Sequence, residues 1–566
     1  MKNFFVAVAP VFLVGSVFAT DYTWREAVDG EISNPDVWAP SGVPGEGDQA
    51  KFAEQGAYCA TESADRTVGS VSVTNADVTI DLGGKSWTLT GPLSTYNGAS
   101  DAALTRTTIS NGTLDVQHGS AADASGLIVS LQDSVSTKGN LRITGKNTSV
   151  TTKALWMGGV NGSFTLDGGA KCDVAGEVRW GGVYQGGSDN RITIIGERTR
   201  FRQTANGGFT GNNIGARAKF YFADGADLYF NSLFYLSGGY GGQWNELWVT
   251  NGSHVVFGNG LAVGHAANGR SVHANVACIA GEGTAVTVTG ALYVATSAIS
   301  NLFHVTDCAV VTQTVDWGTT DVYCGWDGYA EGQGCGNEFR VDNGGEYHCV
   351  PSPNGSYYSV YMGGGSFSCG NRIFVGADAK FVISRANNDC RIGYNGGHDN
   401  GIVVSNGTFD VTTGWRMYFG CSDMSPAVCG SGNYIEFFGD HPLAYLGEIM
   451  AFNSGSKLVF HVEQTGYAVA PLTIRYTASN TSEVPAQLVL DVTNWVPEKK
   501  TVIPLVQSIG GDWFVEYNKP LMEELVNNVT LVGTEHPEWY TVSLSADNKT
   551  VQLQCKPEKS LVLFLR

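Results

Sequence analysis

The sequence predicts an all-β fold: a right-handed parallel β-helix with three short strands per coil and a C-terminal β-rich cap. Three observations predict it. A repeat of the form Asn-x-Φ-x-Φ, with Φ apolar, begins at Asn190, Asn245, Asn275, Asn301, Asn337, Asn371, Asn400 and Asn433. From Asn245 onward its starts are 26 to 36 residues apart, the period of a solenoid. Finally, Gly is 74 of 566 residues and charged residues are only 15%, against about 25% charged in an ordinary soluble domain. That balance suits short strands and turns.

Residues 1–19 read as a secretory signal. Met1-Lys-Asn precedes an apolar run from Phe4 to Phe18, and Val17-Phe18-Ala19 supplies a small-residue cleavage pattern. The run is shorter than the roughly 20 residues a spanning helix needs. The expected product is exported, secreted or on the cell surface, with no membrane span in the mature chain.

Residues 20–100 form a Trp/Gly/Pro-rich N-terminal segment containing Trp24, Trp38, Pro44, Asp48 and Phe52. Alternation then begins at Val71-Ser-Val73 and Val78-Thr-Ile80-Asp-Leu82. Period-2 alternation bounded by Gly and Asn is a strand signal.

Across 101–469 each repeat divides into three strands. The Asn-led strand comes first. A turn such as Asn251-Gly-Ser253 or Asn343-Gly-Gly345 follows, using residues that tolerate left-handed backbone. A second alternating strand, such as His254–Phe257, leads to a short Φ-x-Φ-Gly, as in Leu261–Gly264, Val322–Gly325 and Val360–Gly363. Stacked coils lie about 4.8 Å apart. At that spacing the amides of Asn245, Asn275, Asn301, Asn337, Asn371, Asn400 and Asn433 can link coil to coil as a corner ladder. The 55-residue step from Asn190 to Asn245 has room for one more coil.

Residues 470–566 lose the repeat. They read as a β-rich cap with one helical turn at Met522–Val526. A cap is expected because a solenoid end exposes an unpaired edge. The segment lacks the run of alternating ~10-residue strands that an outer-membrane barrel requires.

On the Trp/Pro/Gly-Asp start (Trp24, Trp38, Pro44, Asp48, Phe52) and the Asn-Gly-[Ser/Thr] units, the chain resembles secreted bacterial proteins with autotransporter-associated β-strand repeats. More loosely it is similar to autotransporter passengers. That resemblance implies a β-helix displayed outside the cell. The absence of a translocator-barrel pattern and the twelve cysteines depart from true autotransporters, so self-secretion is not expected.

Net charge is −19 and no basic patch appears, which argues against nucleic-acid partners. No Cys-x-x-Cys occurs and His265, His273 and His398 match no ligand motif, so neither metal nor cofactor is expected. Cys335-Gly-Asn337 and Cys369-Gly-Asn371 share one register, and stacking would bring their Cα atoms within disulfide range. Cys421 and Cys429 could close a local loop.

Chemistry, if local, is expected where the repeat lengthens, over 316–361. Asp316, Asp321, Asp327, Glu331, Asp342 and Glu346 are the candidate acids for a glycosidase-type pair. A lyase would also want a nearby base, and Arg340 is the one at hand. Trp326 and Tyr329, with Trp317, are the candidates for contact with sugar rings; other aromatics of the stretch, such as Tyr347 and Tyr361, suit the core as well. The leading expectation is a largely monomeric structural or adhesive scaffold whose partner is a polysaccharide or cell-surface glycan. The alternative is a β-helix polysaccharide lyase or glycoside hydrolase.

Overall fold

The computed structural model describes residues 19–557, apart from 98–104, 120–125, 131–136, 182–188, 206–209, 212–215, 239–241, 267–271, 315–318, 327–332, 351–356, 385–388, 413–415, 421–429, 453–454, 478–485, 496 and 498. It is a parallel β-helix. The leading strands stack into one parallel sheet whose ends are Gly30–Glu31 and Val529–Val532. Second strands, from Arg66–Val68 onward, form another face, and third strands, from Asp21–Trp24 and Gln49–Phe52 onward, form the remaining one. Near the C-terminal end a single ten-residue strand, Leu443–Phe452, pairs with both Thr408–Val411 and Arg416–Phe419, so two faces run together there.

The repeat unit is as the sequence pattern divides it. The coil begun by Asn245 has strands Glu246–Thr250, His254–Phe257 and Leu261–Ala262. Alternate residues point inward and form one continuous core. Along it Phe201 lies tilted on Phe230 at 5.5 Å, and Phe230 stacks on Phe257 at 5.7 Å. Each buried phenylalanine contributes about 2–3 kcal/mol of transfer free energy.

The 55-residue step does hold a further coil. Lys219–Ala223 is its leading strand, and Ala218 occupies the corner position. Ala218 still donates its backbone N–H to Asn245 Oδ1 at 2.9 Å, so the coil joins the ladder without an amide of its own.

Stacking is not confined to 101–469. In the N-terminal segment, Asp21–Thr23 pairs in parallel with Gln49–Lys51 as the opening turn. Trp24 and Trp38 meet edge to face at 5.0 Å, and both lie on Phe52. The Trp38 indole donates to the Ile32 carbonyl at 2.9 Å. These fully buried rings plug the open end of the core.

The other end carries more helix than the sequence suggests. Asp512–Asn527 is a 16-residue α-helix, whereas a single turn was expected at Met522–Val526. Pro520 lies inside it and removes one backbone donor, which breaks the helical pattern in the sequence. Tertiary burial of Leu521, Met522 and Leu525 compensates. Beyond the helix, Tyr540–Leu544 and Thr550–Cys555 make an antiparallel hairpin against Thr501–Ser508. Antiparallel pairing ends the parallel stack.

Candidate functional site

The asparagine corner is a ladder of paired amides. From Asn275 onward each Oδ1 accepts twice from the preceding coil, once from a backbone N–H and once from a side-chain Nδ2. For Asn275, Asn301, Asn337, Asn371, Asn400 and Asn433 as acceptors, the Nδ2 bonds are 3.0, 2.9, 3.0, 2.8, 2.9 and 3.3 Å. The matching backbone bonds lie between 2.9 and 3.1 Å. All seven asparagines are buried. The residue before each is in the left-handed region, for example Trp244, Ala274, Ser300 and Asp399, which turns the Asn N–H along the stack. At the C-terminal end the helix takes over: Ala486, at the same corner, donates its N–H to Glu524 Oε1 at 2.6 Å. The ladder is scaffold. Its donors and acceptors are consumed internally.

The outer face of the third strands holds the densest functional-looking cluster. Tyr235, Ala262, Tyr293, Tyr323, Tyr361, Arg391 and Tyr418 occupy one in-register lane. Tyr293 and Tyr323 stack at 5.0 Å with 3° between planes, and Tyr323 and Tyr361 at 5.3 Å with 8°. Trp326 lies 4.5 Å from Tyr361 and stacks on Tyr394 at 5.7 Å. Gly364 makes room for that indole, because a Cβ there would collide with it. Arg391 sits over Tyr394 at 4.6 Å and closes the lane. His265 meets Tyr235 and Tyr293 edge-on at 5.6 Å each, and burial lowers its imidazole below the ordinary value.

This geometry changes what the aromatics can do. Sugars stack on free ring faces. Here the faces of Tyr293, Tyr323 and Tyr361 cover one another, and one face of Trp326 lies against Tyr394. The Tyr323 hydroxyl is engaged as well, donating to Asp321 at 2.6 Å. Of the other aromatic candidates, Tyr347 is fully buried in the core, while Trp317 and Tyr329 lie outside the described residues.

The candidate acids separate. Asp316, Asp327 and Glu331 lie outside the described residues. Asp342 accepts from His304 at 2.8 Å and from Arg340 at 2.5 Å. Burial pushes its carboxyl up, but the bonds from His304, Thr306 and Arg340 outweigh this and hold it below the ordinary range. Arg340 also reaches Glu338, and Arg372 pairs with Glu338 at 2.7 Å. Glu346 is on the second-strand face, held low by Lys380 at 2.7 Å and by His348. Both are therefore ionised and spoken for, which suits coil-to-coil clamps and not a general acid. Asp321 behaves differently: burial raises its carboxyl, although the Tyr323 hydroxyl donates to it at 2.6 Å.

The disulfide expectation is corrected. No disulfide joins any of the ten described cysteines. Cys335 and Cys369 do touch, as thiols: burial first, then the Cys369 contact, pushes Cys335 up to about 12. Cys335 Sγ also reaches the Phe367 carbonyl at 3.1 Å. In-register parallel neighbours project their Cβ atoms side by side, whereas a disulfide needs them to converge. Cys421 and Cys429 lie outside the described residues. Among the described residues no three His, Cys, Asp or Glu side chains are placed to hold a metal ion, and no helix is long and apolar enough to cross a membrane.

Sequence reasoning missed Arg391, Tyr394 and Tyr418, which reach the cluster from later coils. Arg391 and Tyr418 hold the middle position of Φ-x-Φ-Gly units, where their signal lay, although Tyr418 is buried; Tyr394 follows the glycine of such a unit.

Fold and site together define an all-β solenoid whose outward side chains are largely committed to neighbouring coils. No protein-family model and no curated protein matches the chain.

Proposed function

We propose that the chain is an exported structural or adhesive β-helix scaffold whose outer faces contact polysaccharide. The observation that carries this reading is the commitment of Glu338, Asp342, Glu346 and the stacked Tyr293, Tyr323 and Tyr361 to coil-to-coil contacts. Asp342, Glu346 and Glu338 each bind a cation from the same or an adjacent coil. A hydrolytic pair needs one carboxyl free to donate a proton beside a second free to attack or activate water. A scaffold needs cross-coil clamps. The resemblance to autotransporter-associated repeat proteins and the apolar N-terminal run point the same way. Retention of the purified protein on insoluble polysaccharides, without release of reducing ends or unsaturated uronates, is the expected result; turnover would overturn it.

One observation favours the second reading, a glycoside hydrolase or lyase. Asp321 is raised by burial and lies near Arg391, as a general acid beside a charge-stabilising group would be. If that reading holds, Asp321→Asn abolishes turnover of a polysaccharide that the wild type cleaves. If the scaffold reading holds, the wild type shows no turnover to lose.

A further inference from the structure

The leading-strand face has a feature that the aromatic lane lacks: an open groove near the N-terminal end. It has a volume of about 720 Å³ and spans the five consecutive coils whose leading strands are Ala57–Thr61, Asp77–Asp81, Arg106–Ser110, Asn140–Thr144 and Ser163–Asp167. Four coil steps of about 4.8 Å make it roughly 19 Å long. One wall is the loop carrying Asp29, which is fixed to the first of these coils by the Cys59 N–H at 2.7 Å.

Two outward lanes form its floor. One runs Asp77, Arg106, Asn140, Ser163, and the other Thr79, Thr108, Arg142, Thr165. At the first coil the lanes begin with Ala57 and Cys59; beyond that coil, within the groove, neither contains an aliphatic or aromatic side chain. Arg106 is half exposed, and its described partner, Asp77, is 3.6 Å away, beyond hydrogen-bonding range. Elsewhere on the stack, Arg200 and Arg217 hold their carboxylates at 2.8 and 2.7 Å. Further along the second lane, past Thr193, the hydroxyls give way to Tyr221, Trp248 and Cys278. The first lane stays charged beyond the groove, through Arg191, Lys219 and Glu246.

We infer that this groove binds a linear, neutral, hydroxyl-rich glycan lying along the stack. Guanidinium donors, carboxylate acceptors and threonine hydroxyls in alternation are what sugar hydroxyls need, since each hydroxyl both donates and accepts. Arg106 faces Asp77, Arg142 is held by Asp167 at 2.9 Å, and Asp29 adds a further carboxylate, so the groove carries no net positive charge and gives a polyanion no net attraction. Tyr58 and Leu141, the large apolar residues of its lining, are buried, so the groove exposes no large apolar anchor to a protein partner. The inference rests on the scaffold reading and assigns it a site, away from the aromatic candidates of 316–361.

The test is calorimetric titration of the whole protein with cellohexaose, mannohexaose and hexagalacturonate, for wild type, Arg106→Ala, Thr108→Val and, as a control on another face, Arg200→Ala. Circular dichroism and melting establish that each variant is folded. Loss of a charge-assisted bond corresponds to about tenfold in affinity. We expect a neutral hexasaccharide to bind wild type and Arg200→Ala alike, about tenfold more weakly to Arg106→Ala, and more weakly to Thr108→Val. Equal binding by all four proteins overturns the groove, as does binding of hexagalacturonate alone. If no hexasaccharide binds while the protein is still retained on polymeric polysaccharide, the groove is wrong and the scaffold reading stands. If neither occurs, both fail.

Discussion

Asn371 Oδ1 accepts two hydrogen bonds from Asn337, one from its backbone N–H at 3.0 Å and one from its Nδ2 at 2.8 Å, across 34 residues of chain and one step of the stack. Substituting Asn371→Ala strands two buried donors at once. Each unsatisfied donor costs about 1–3 kcal/mol, so the variant should lose about 2–6 kcal/mol. Denaturant unfolding monitored by circular dichroism checks this; a midpoint equal to that of wild type would show that the ladder is ornamental. Asn371→Asp keeps the acceptors and should fall between the two.

The glycine that closes each third strand belongs to the same contact. Gly325 has φ +76, and a Cβ on it would collide with the Asn371 carboxamide; Gly363 stands likewise against Asn400. Gly325→Ala should therefore destabilise by about 2–4 kcal/mol, combining backbone strain with overpacking. Combined with Asn371→Ala, which removes the collision partner, its cost should shrink. A double-mutant cycle on unfolding midpoints measures the coupling, and strict additivity would refute the contact.

That pairing shows how far the sequence could be read. Asn and Gly recur at fixed register because the corner demands them, so coil, corner and strand order were legible. Ala218 was not, because a corner that only donates its backbone N–H needs no particular side chain. The helix at Asp512–Asn527 was hidden by Pro520 and is made by burial against the last coil. The outer aromatic lane was half legible. Tyr323 and Trp326 are neighbours in sequence, but Arg391 and Tyr394 arrive from a later coil, and only the stacking register brings them in. Ring faces covering one another is a property of side-chain orientation that composition does not report.

His461 links three successive coils, with Nε2 2.8 Å from Glu436 and Nδ1 3.1 Å from Asp491, while its ring stacks on Phe438 at 4.0 Å. The Glu436 bond, with Asp491 beside it, raises the imidazole above its ordinary value. Its stabilisation is fully present below the unfolded value of about 6.5 and is lost as pH rises through the higher folded value. Asp491 is held low and works in the opposite sense, so its contribution is lost as pH falls below about 4. Stability at this end should be greatest between about pH 4 and 6.5, and His461→Gln should flatten the alkaline limb by roughly 1 kcal/mol. Melting temperature against pH for both proteins tests it; parallel curves would contradict the clamp.

Thiol chemistry separates contact from bond. Cys308 is exposed, whereas Cys335 is partly buried and pushed up to about 12. In native protein at pH 8, iodoacetamide should modify Cys308 well before Cys335. After denaturation without reductant, both Cys335 and Cys369 should be labelled. Mass spectrometry reads both outcomes, and a Cys335–Cys369 cross-linked peptide would contradict the free pair.

The central claim is that one buried amide ladder runs through the corner of the stack and binds coil to coil. Residue-resolved hydrogen exchange of the intact protein tests it most directly. The backbone amides of Asn245, Asn275, Asn301, Asn337, Asn371 and Asn400 should be among the slowest to exchange, although each follows a residue in a turn conformation. Exchange of those six amides at the rate of exposed loops would contradict the account.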